Sequence, residues 1–253
     1  MSRRLKDYYY TDLSTKNNQV IKQEDAPETL KNHIFYGMML DEDQQHYRDA
    51  IWSKDKLVVI CDSVAGSGKT CIAVMTANLL VKYRRYDGIV YIVAPTQESS
   101  VGFLPGDISE KISPYFEPFY DAALKADINI DTALTSDIVN EKNGTAYIDL
   151  RSHNYLRGVN FENKVVIVDE AQNLYTNQLQ KVITRCHDNC KVILAGHSGQ
   201  VDLSNPEGSG LIKYIKHAKD VPFVEVCTLT HNYRGVVSKW ADDIFENDKG
   251  ENV

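Results

Sequence analysis

The feature that most constrains this chain is an apolar strand running straight into a glycine loop and then a helix. Residues 57–61, LVVIC, are apolar and rich in β-branched side chains, as a parallel strand covered on both faces must be. The stretch SVAGSGKT over 63–70 follows the pattern G-x-x-x-x-G-K-[ST], except that Ser63 stands at the first glycine position. Small residues let such a loop curl until its backbone N–H groups face phosphate oxygens, at a helix N-terminus that favours anions. The helix is predicted over 69–84.

The same alternation continues down the chain. IVYIVA (89–94), VVIVD (165–169), KVILAG (191–196) and FVEVCTL (223–229) read as further buried strands. Helices are predicted over 106–126, interrupted near Pro114 and Pro118, over 174–186 and over 236–245. Residues 127–146 are polar and poorly patterned, and read as a small insertion or hairpin. Strands alternating with helices predict a three-layer α/β domain around a mainly parallel sheet. Residues 1–40 are polar and weakly periodic and read as an arm, leaving 41–253 as one domain.

Composition excludes some classes of function. No apolar run approaches the ~20 residues that span a bilayer, so no membrane role is expected. The basic N-terminus has no apolar stretch behind it, as a secretory signal would, and a cytoplasmic protein is expected. Five cysteines, an odd number, argue for reduced thiols. Cys186 and Cys190 flank His187 in RCHDNC, but a zinc site would need two more ligands at sensible spacing, and none follows. The net charge of −7 lends no support to a basic groove, so any nucleic-acid role must rest on motifs.

The motifs nominate ATP and Mg2+ as ligands. Ser63, Val64, Ala65, Gly66, Ser67, Gly68, Lys69, Thr70 and Cys71 line the expected phosphate cradle. Lys69 is placed to reach the β- and γ-phosphates, and the Thr70 hydroxyl to ligate the metal. VVIVDEAQN (165–173) ends a strand in two acids. Asp169 is assigned to Mg2+, and Glu170 to orienting and deprotonating the attacking water. Gln200, in LAGHSGQVDL, is the candidate γ-phosphate and water sensor, against the reading of a surface amide. Arg234, in LTHNYRG, is the candidate γ-phosphate arginine, against the reading of a surface residue at a helix start. Gln44 and Tyr47 precede the first strand, where an amide can read the adenine edge and a ring can stack on its face; packing of Tyr47 into the domain is the alternative.

Together the segments QQHYRDAI, AGSGKT, VGFLPGDISEKISPYFEPFYDAAL, NYLRG, VVIVDEAQN, GQVDL and SGL resemble the PhoH-like family, relatives of superfamily-one helicase domains. GFLPGD (102–107) with the helix ending in YDAAL is more specific than the Walker motifs, and the resemblance covers about residues 41–245. It implies a RecA-like domain, ATP hydrolysis, a role on RNA or other nucleic acid, and hexameric rings. It also supports Gln44 as adenine reader, Gln200 as sensor and Arg234 as the γ-phosphate arginine. The chain departs from the family at Ser63, at His197 where an acid is usual, and in VAPTQESS, which lacks the family's arginine.

Three functions compete at this level. An ATPase acting on nucleic acid would have one lobe where helicases use two, so a neighbouring subunit would supply the second surface. A nucleoside kinase can combine SGKT with a DEAQ-like acid pair, but the paired-cysteine lasso of thymidine kinases is missing. A nucleotide-gated binding module with little turnover is the third. Tyr155 and Arg157 in NYLRG suit contact with nucleic acid or a neighbouring subunit equally well.

Overall fold

A computed structural model describes residues 26–95, 113–156, 158–238 and 240. Among these residues the sheet has six strands: β1 (Val58–Ser63), β2 (Gly88–Val93), β3 (Ile148–Ser152), β4 (Lys164–Asp169), β5 (Lys191–Gly196) and β6 (Val224–Leu229). They lie in the order β3-β2-β4-β5-β1-β6, and every neighbouring pair is parallel. This is the α/β architecture around a parallel sheet that the strand–helix alternation predicts, and it agrees with the RecA-like domain that the family resemblance implies. β4, β5 and β1 lie side by side with their C-terminal ends on one edge, and ligands of open parallel sheets bind outside that edge.

Successive strand residues point to opposite faces, so the sheet divides the core in two. Val59, Cys61, Ile89, Tyr91, Val165, Ile167, Ile193 and Cys227 face one layer. Helices α1 (Glu42–Trp52), α2 (Lys69–Lys82) and α3 (Glu117–Lys125) contribute to that layer through Tyr47, Ile51, Ile72, Met75 and Phe119. Ile60, Val90, Ile92, Val166, Val168, Val192 and Leu194 face the other. There α4 (Thr176–Ile183) and α5 (Gly210–His217) add Leu179, Val182 and Leu211. Fully burying a Leu- or Val-sized side chain is worth roughly 1.5–3 kcal/mol, so these two layers hold the strand tips in fixed relation.

Local chemistry sets the helix starts. The Asp41 carboxylate accepts from the Gln44 N–H at 2.8 Å while Gln44 Oε1 accepts from the Asp41 N–H at 3.2 Å, a capping box that begins α1. In the interrupted segment, Ser113–Phe116 form a 3-10 turn and α3 begins at Glu117, with Pro118 in its first turn, where its missing N–H costs nothing.

Two parts of the fold add detail that the sequence leaves open. Residues 26–40 are packed onto the domain: Leu30 and Phe35 are buried in the core, and Trp52 Nε1 donates to the Pro27 carbonyl at 3.2 Å. Residues 127–146 hold two short helices, Ile130–Ala133 and Ile138–Asn143, and lead into β3, which the sequence reading did not anticipate. Residues 1–25, GFLPGD, Arg157 and most of the predicted C-terminal helix lie outside the described residues.

Candidate active site at the tips of β1, β4 and β5

The loop after β1 is built to leave donors exposed. Gly68 is the N-cap of α2, sits at φ +87°, and gives the helix no side-chain cap. The first N–H groups of α2 therefore face outward from a helix N-terminus, which carries roughly half a positive charge. Gly66, at φ +71°, has a second constraint. A Cβ there would stand 2.7 Å from Asn232 Oδ1 and 2.8 Å from Arg234 Cγ. The segment after β6 is thus pressed onto the loop, and the Tyr233 N–H donates to the Gly66 carbonyl at 3.0 Å. Ser67 Oγ is buried without a hydrogen-bond partner. A small-residue cradle, free helix N–H groups and a lone buried hydroxyl fit a phosphate chain.

The acid pair meets this loop. Thr70 Oγ1 donates to Asp169 Oδ2 at 2.8 Å, and Lys69 Nζ lies 3.4 Å from Glu170 Oε1. Asp169 is buried, while the Glu170 side chain is half-exposed. Burial, and then the Glu170 charge, raise the Asp169 pKa above the usual carboxylate value; Lys69 and the hydrogen bonds from Tyr91 and Thr70 oppose that rise. The hydroxyl and carboxylate oxygens at Thr70 and Asp169 are the hard donors that Mg2+ takes. Glu170 adopts φ +51°, a left-handed conformation that costs a non-glycine residue about 1–2 kcal/mol, and this turns its carboxylate out of the strand line.

A third group organises the cleft. Gln172 is buried, donates from Nε2 to Glu170 Oε2 at 2.6 Å, and accepts the His197 N–H on Oε1 at 3.1 Å. Asn173 and Asp202 exchange two hydrogen bonds, at 3.1 and 2.9 Å. Ser198 is tied to Asp62 through its N–H at 2.8 Å and its hydroxyl at 2.7 Å. The loop after β5, which carries Gln200, is therefore bound to both β4 and β1. Gly196 leaves room for this arrangement, since a Cβ there would stand 2.4 Å from Gln172 Oε1.

The two residues nominated for adenine are both buried. Tyr47 is fully buried in the core, so its ring is not presented for stacking; the packing alternative is the one observed. Gln44 is also buried, and its Nε2 donates to the Ser67 carbonyl at 2.9 Å. With its Oε1 in the capping box, that amide holds the phosphate loop by its backbone. The exposed ring beside the loop belongs to Tyr233, whose hydroxyl donates to Asp41 Oδ2 at 2.5 Å and whose ring stands 4.4 Å from that of His231. Tyr233, Gln172 and Tyr91 were missed in the sequence; the usable signals were an aromatic next to Arg234 and a polar Gln just past the acid pair.

Other candidates separate from the cleft. Among the described residues no group of three His, Cys, Asp or Glu could hold a metal, and the Cys186 and Cys190 thiols point at the Val182 and Phe161 carbonyls. Tyr155 is exposed in the short turn after β3. A cavity of about 800 Å³ lies elsewhere, between residues 26–30, the end of α1, and Arg85 and Tyr86. No helix among the described residues is long and apolar enough to cross a membrane.

An all-parallel sheet that presents a glycine cradle after one strand and an acid pair after another defines a P-loop NTPase domain. The chain belongs to the PhoH-like protein family, whose family model matches residues 38–246. Protein PhoH of Escherichia coli strain K12 is 36% identical over 172 residues, 68% of this chain and 47% of that protein. The PhoH-like protein of Synechocystis is 35% identical over 188 residues, 74% of this chain and 54% of that one. The chain thus spans about half the length of the curated relatives it matches. Among solved structures, the large terminase from a thermophilic bacteriophage aligns with TM-score 0.52 at 12% identity, covering 82% of this chain and 50% of that one, a likeness of fold.

Proposed function

We infer that this chain is a Mg2+-dependent ATPase. The observation that carries the reading is the meeting of Lys69 and Thr70 with Glu170 and Asp169, at 3.4 and 2.8 Å, across the tips of β1 and β4. Backbone N–H groups from Ala65 through Cys71 would cradle the phosphates, with Ser63 opening the loop; the Val64 N–H, nominated with them, is instead donated to the Leu229 carbonyl at 3.1 Å. Lys69 would hold the β- and γ-phosphates. Thr70 and Asp169 would hold Mg2+, which when bound neutralises charge on the transferring phosphoryl group. Glu170 would orient the attacking water and take its proton, a role worth typically 10²–10⁴-fold. Gln172 fixes the Glu170 carboxylate, Gln200 stands in the loop suited to sense the γ-phosphate, and Arg234 is assigned to the charge that grows there. Tyr233 is the ring best placed to stack on the base.

Coupling to RNA or other nucleic acid, in an oligomer of ring form, is the further part of the proposal, and it rests on the family resemblance. Among the described residues one sheet supplies one lobe, and in the ring a neighbouring subunit would supply the facing surface. The test is ATP turnover by wild type and Lys69→Ala across single- and double-stranded RNA and DNA. Stimulation of the wild type by one class, lost in Lys69→Ala, is the expected result. ATP turnover that no nucleic acid changes would remove the coupling and leave the ATPase. Turnover that survives Lys69→Ala would remove the assigned site.

A further inference from the structure

β2 is a fully buried strand of sequence GIVYIV, and Tyr91 is its single side chain with a polar atom. The ring sits on the α2 and α3 side of the sheet, with its centroid 4.9 Å from that of Phe119 and 6.5 Å from that of Phe116. In the parallel register Tyr91 lies opposite Ile167 and Val93 lies opposite Asp169, so Tyr91 and Asp169 are diagonal neighbours on one face. The hydroxyl reaches that carboxylate and donates to Asp169 Oδ2 at 2.5 Å. The same oxygen accepts from Thr70 Oγ1 at 2.8 Å, and Oδ1 accepts from the Glu170 N–H at 3.0 Å.

We propose that Tyr91 is a positioning residue for the divalent cation: its hydroxyl locks the Asp169 carboxylate in the rotamer that presents it beside Thr70. Three donors from three elements fix a carboxylate that would otherwise turn freely about its last bond. The Tyr91 donor comes from the strand behind it and cannot itself reach the cleft, because the residue is fully buried. Phe119 seats the ring, so α3 contributes indirectly to the metal side of the cleft. A buried phenol also needs an acceptor for its own sake, and a purely structural role would show in thermal stability alone. Groups that orient a metal-holding side chain are typically worth 10–100-fold in metal affinity.

The proposal rests on the nucleotide and Mg2+ reading above, and its test uses binding instead of turnover. A fluorescent ADP analogue is titrated into the full chain in EDTA and across a Mg2+ series, beside thermal melts. For Tyr91→Phe, the affinity in EDTA is expected to stay within about twofold of wild type, while the Mg2+ concentration giving half of the metal-dependent tightening rises roughly tenfold. Phe119→Leu keeps the hydroxyl but loosens its seat, and a smaller rise in the same direction is expected; it also carries the test should Tyr91→Phe fail to fold. A half-point equal to wild type, or equal weakening in EDTA and in Mg2+, overturns the positioning role. A wild-type chain showing no metal-dependent binding would overturn the nucleotide reading as well, so the two failures are told apart.

Discussion

Gln172 holds Glu170 by a 2.6 Å hydrogen bond, and does so from a buried position that also grips the first backbone N–H of the loop after β5. A hydrogen bond to a charged group contributes about 1.5–3 kcal/mol, and its loss would release the carboxylate proposed to act on water. Gln172→Met, close in volume and unable to replace either bond, is expected to lower ATP turnover roughly ten- to hundredfold with nucleotide affinity little changed. Steady-state kinetics beside equilibrium binding check this; an equal loss in both would make Gln172 a packing residue instead.

Gly66 is constrained twice, by φ +71° and by the approach of Asn232 and Arg234. Gly66→Ala must adopt a left-handed backbone and also push the segment after β6 off the loop, at a cost of about 1–3 kcal/mol. The expected outcome is a lower melting temperature together with loss of ATP binding. Normal binding at an unchanged melting temperature would show that the segment is free to move.

The base-stacking role is predicted to lie with Tyr233 and not with Tyr47. Tyr47→Leu removes the buried ring and should lower the melting temperature while leaving affinity for a fluorescent ATP analogue unchanged, whereas Tyr233→Ala should weaken that affinity roughly tenfold, the worth of an aromatic stacking contact. The opposite ranking would return the stacking role to Tyr47.

Lys191 gives a pH signature far from the cleft. It opens β5, is fully buried, and donates to the Ser53 carbonyl at 2.6 Å and to that of Lys56. Burial, and then the charge of Arg85, lower its pKa from 10.5 to about 7. Between those values the unfolded chain binds the proton more tightly than the folded one, so folding stability rises with pH. The charging cost is fully present below pH 7 and relieved toward pH 10.5. The slope is bounded at about 1.4 kcal/mol per pH unit. Denaturant unfolding of wild type and Lys191→Met over this range should show a positive slope that the variant lacks; parallel curves would contradict it.

The legible parts of the fold were those written in contiguous residues. β1, β2, β4 and β5 are near-continuous apolar runs because helices cover them on both faces, and β6 showed through FVEVCTL. The edge strand β3, IDLRS, carries Asp149 and Arg151, which pair with each other at 2.6 Å, and this charge hid it. Leu30 and Phe35 anchor residues 26–40 with only two large side chains, too few to make a periodic signal. The phosphate loop and the acid pair were readable as motifs. Gln172 and Tyr233 left only the local signals of standing beside the acid pair and Arg234, and Tyr91 left none, because its role comes from which strands lie side by side. Tyr91 reaches Asp169 only because β2 pairs with β4, a fact of topology.

Glu170 is proposed to act on water in a nucleotide site built from the tips of β1 and β4. Glu170→Gln tests it most directly, through ATP turnover measured together with bound nucleotide. The variant is expected to bind ATP as wild type does while turnover falls by roughly 10²-fold or more. A variant that turns ATP over at the wild-type rate would contradict it, as would a wild-type chain that binds ATP and never hydrolyses it.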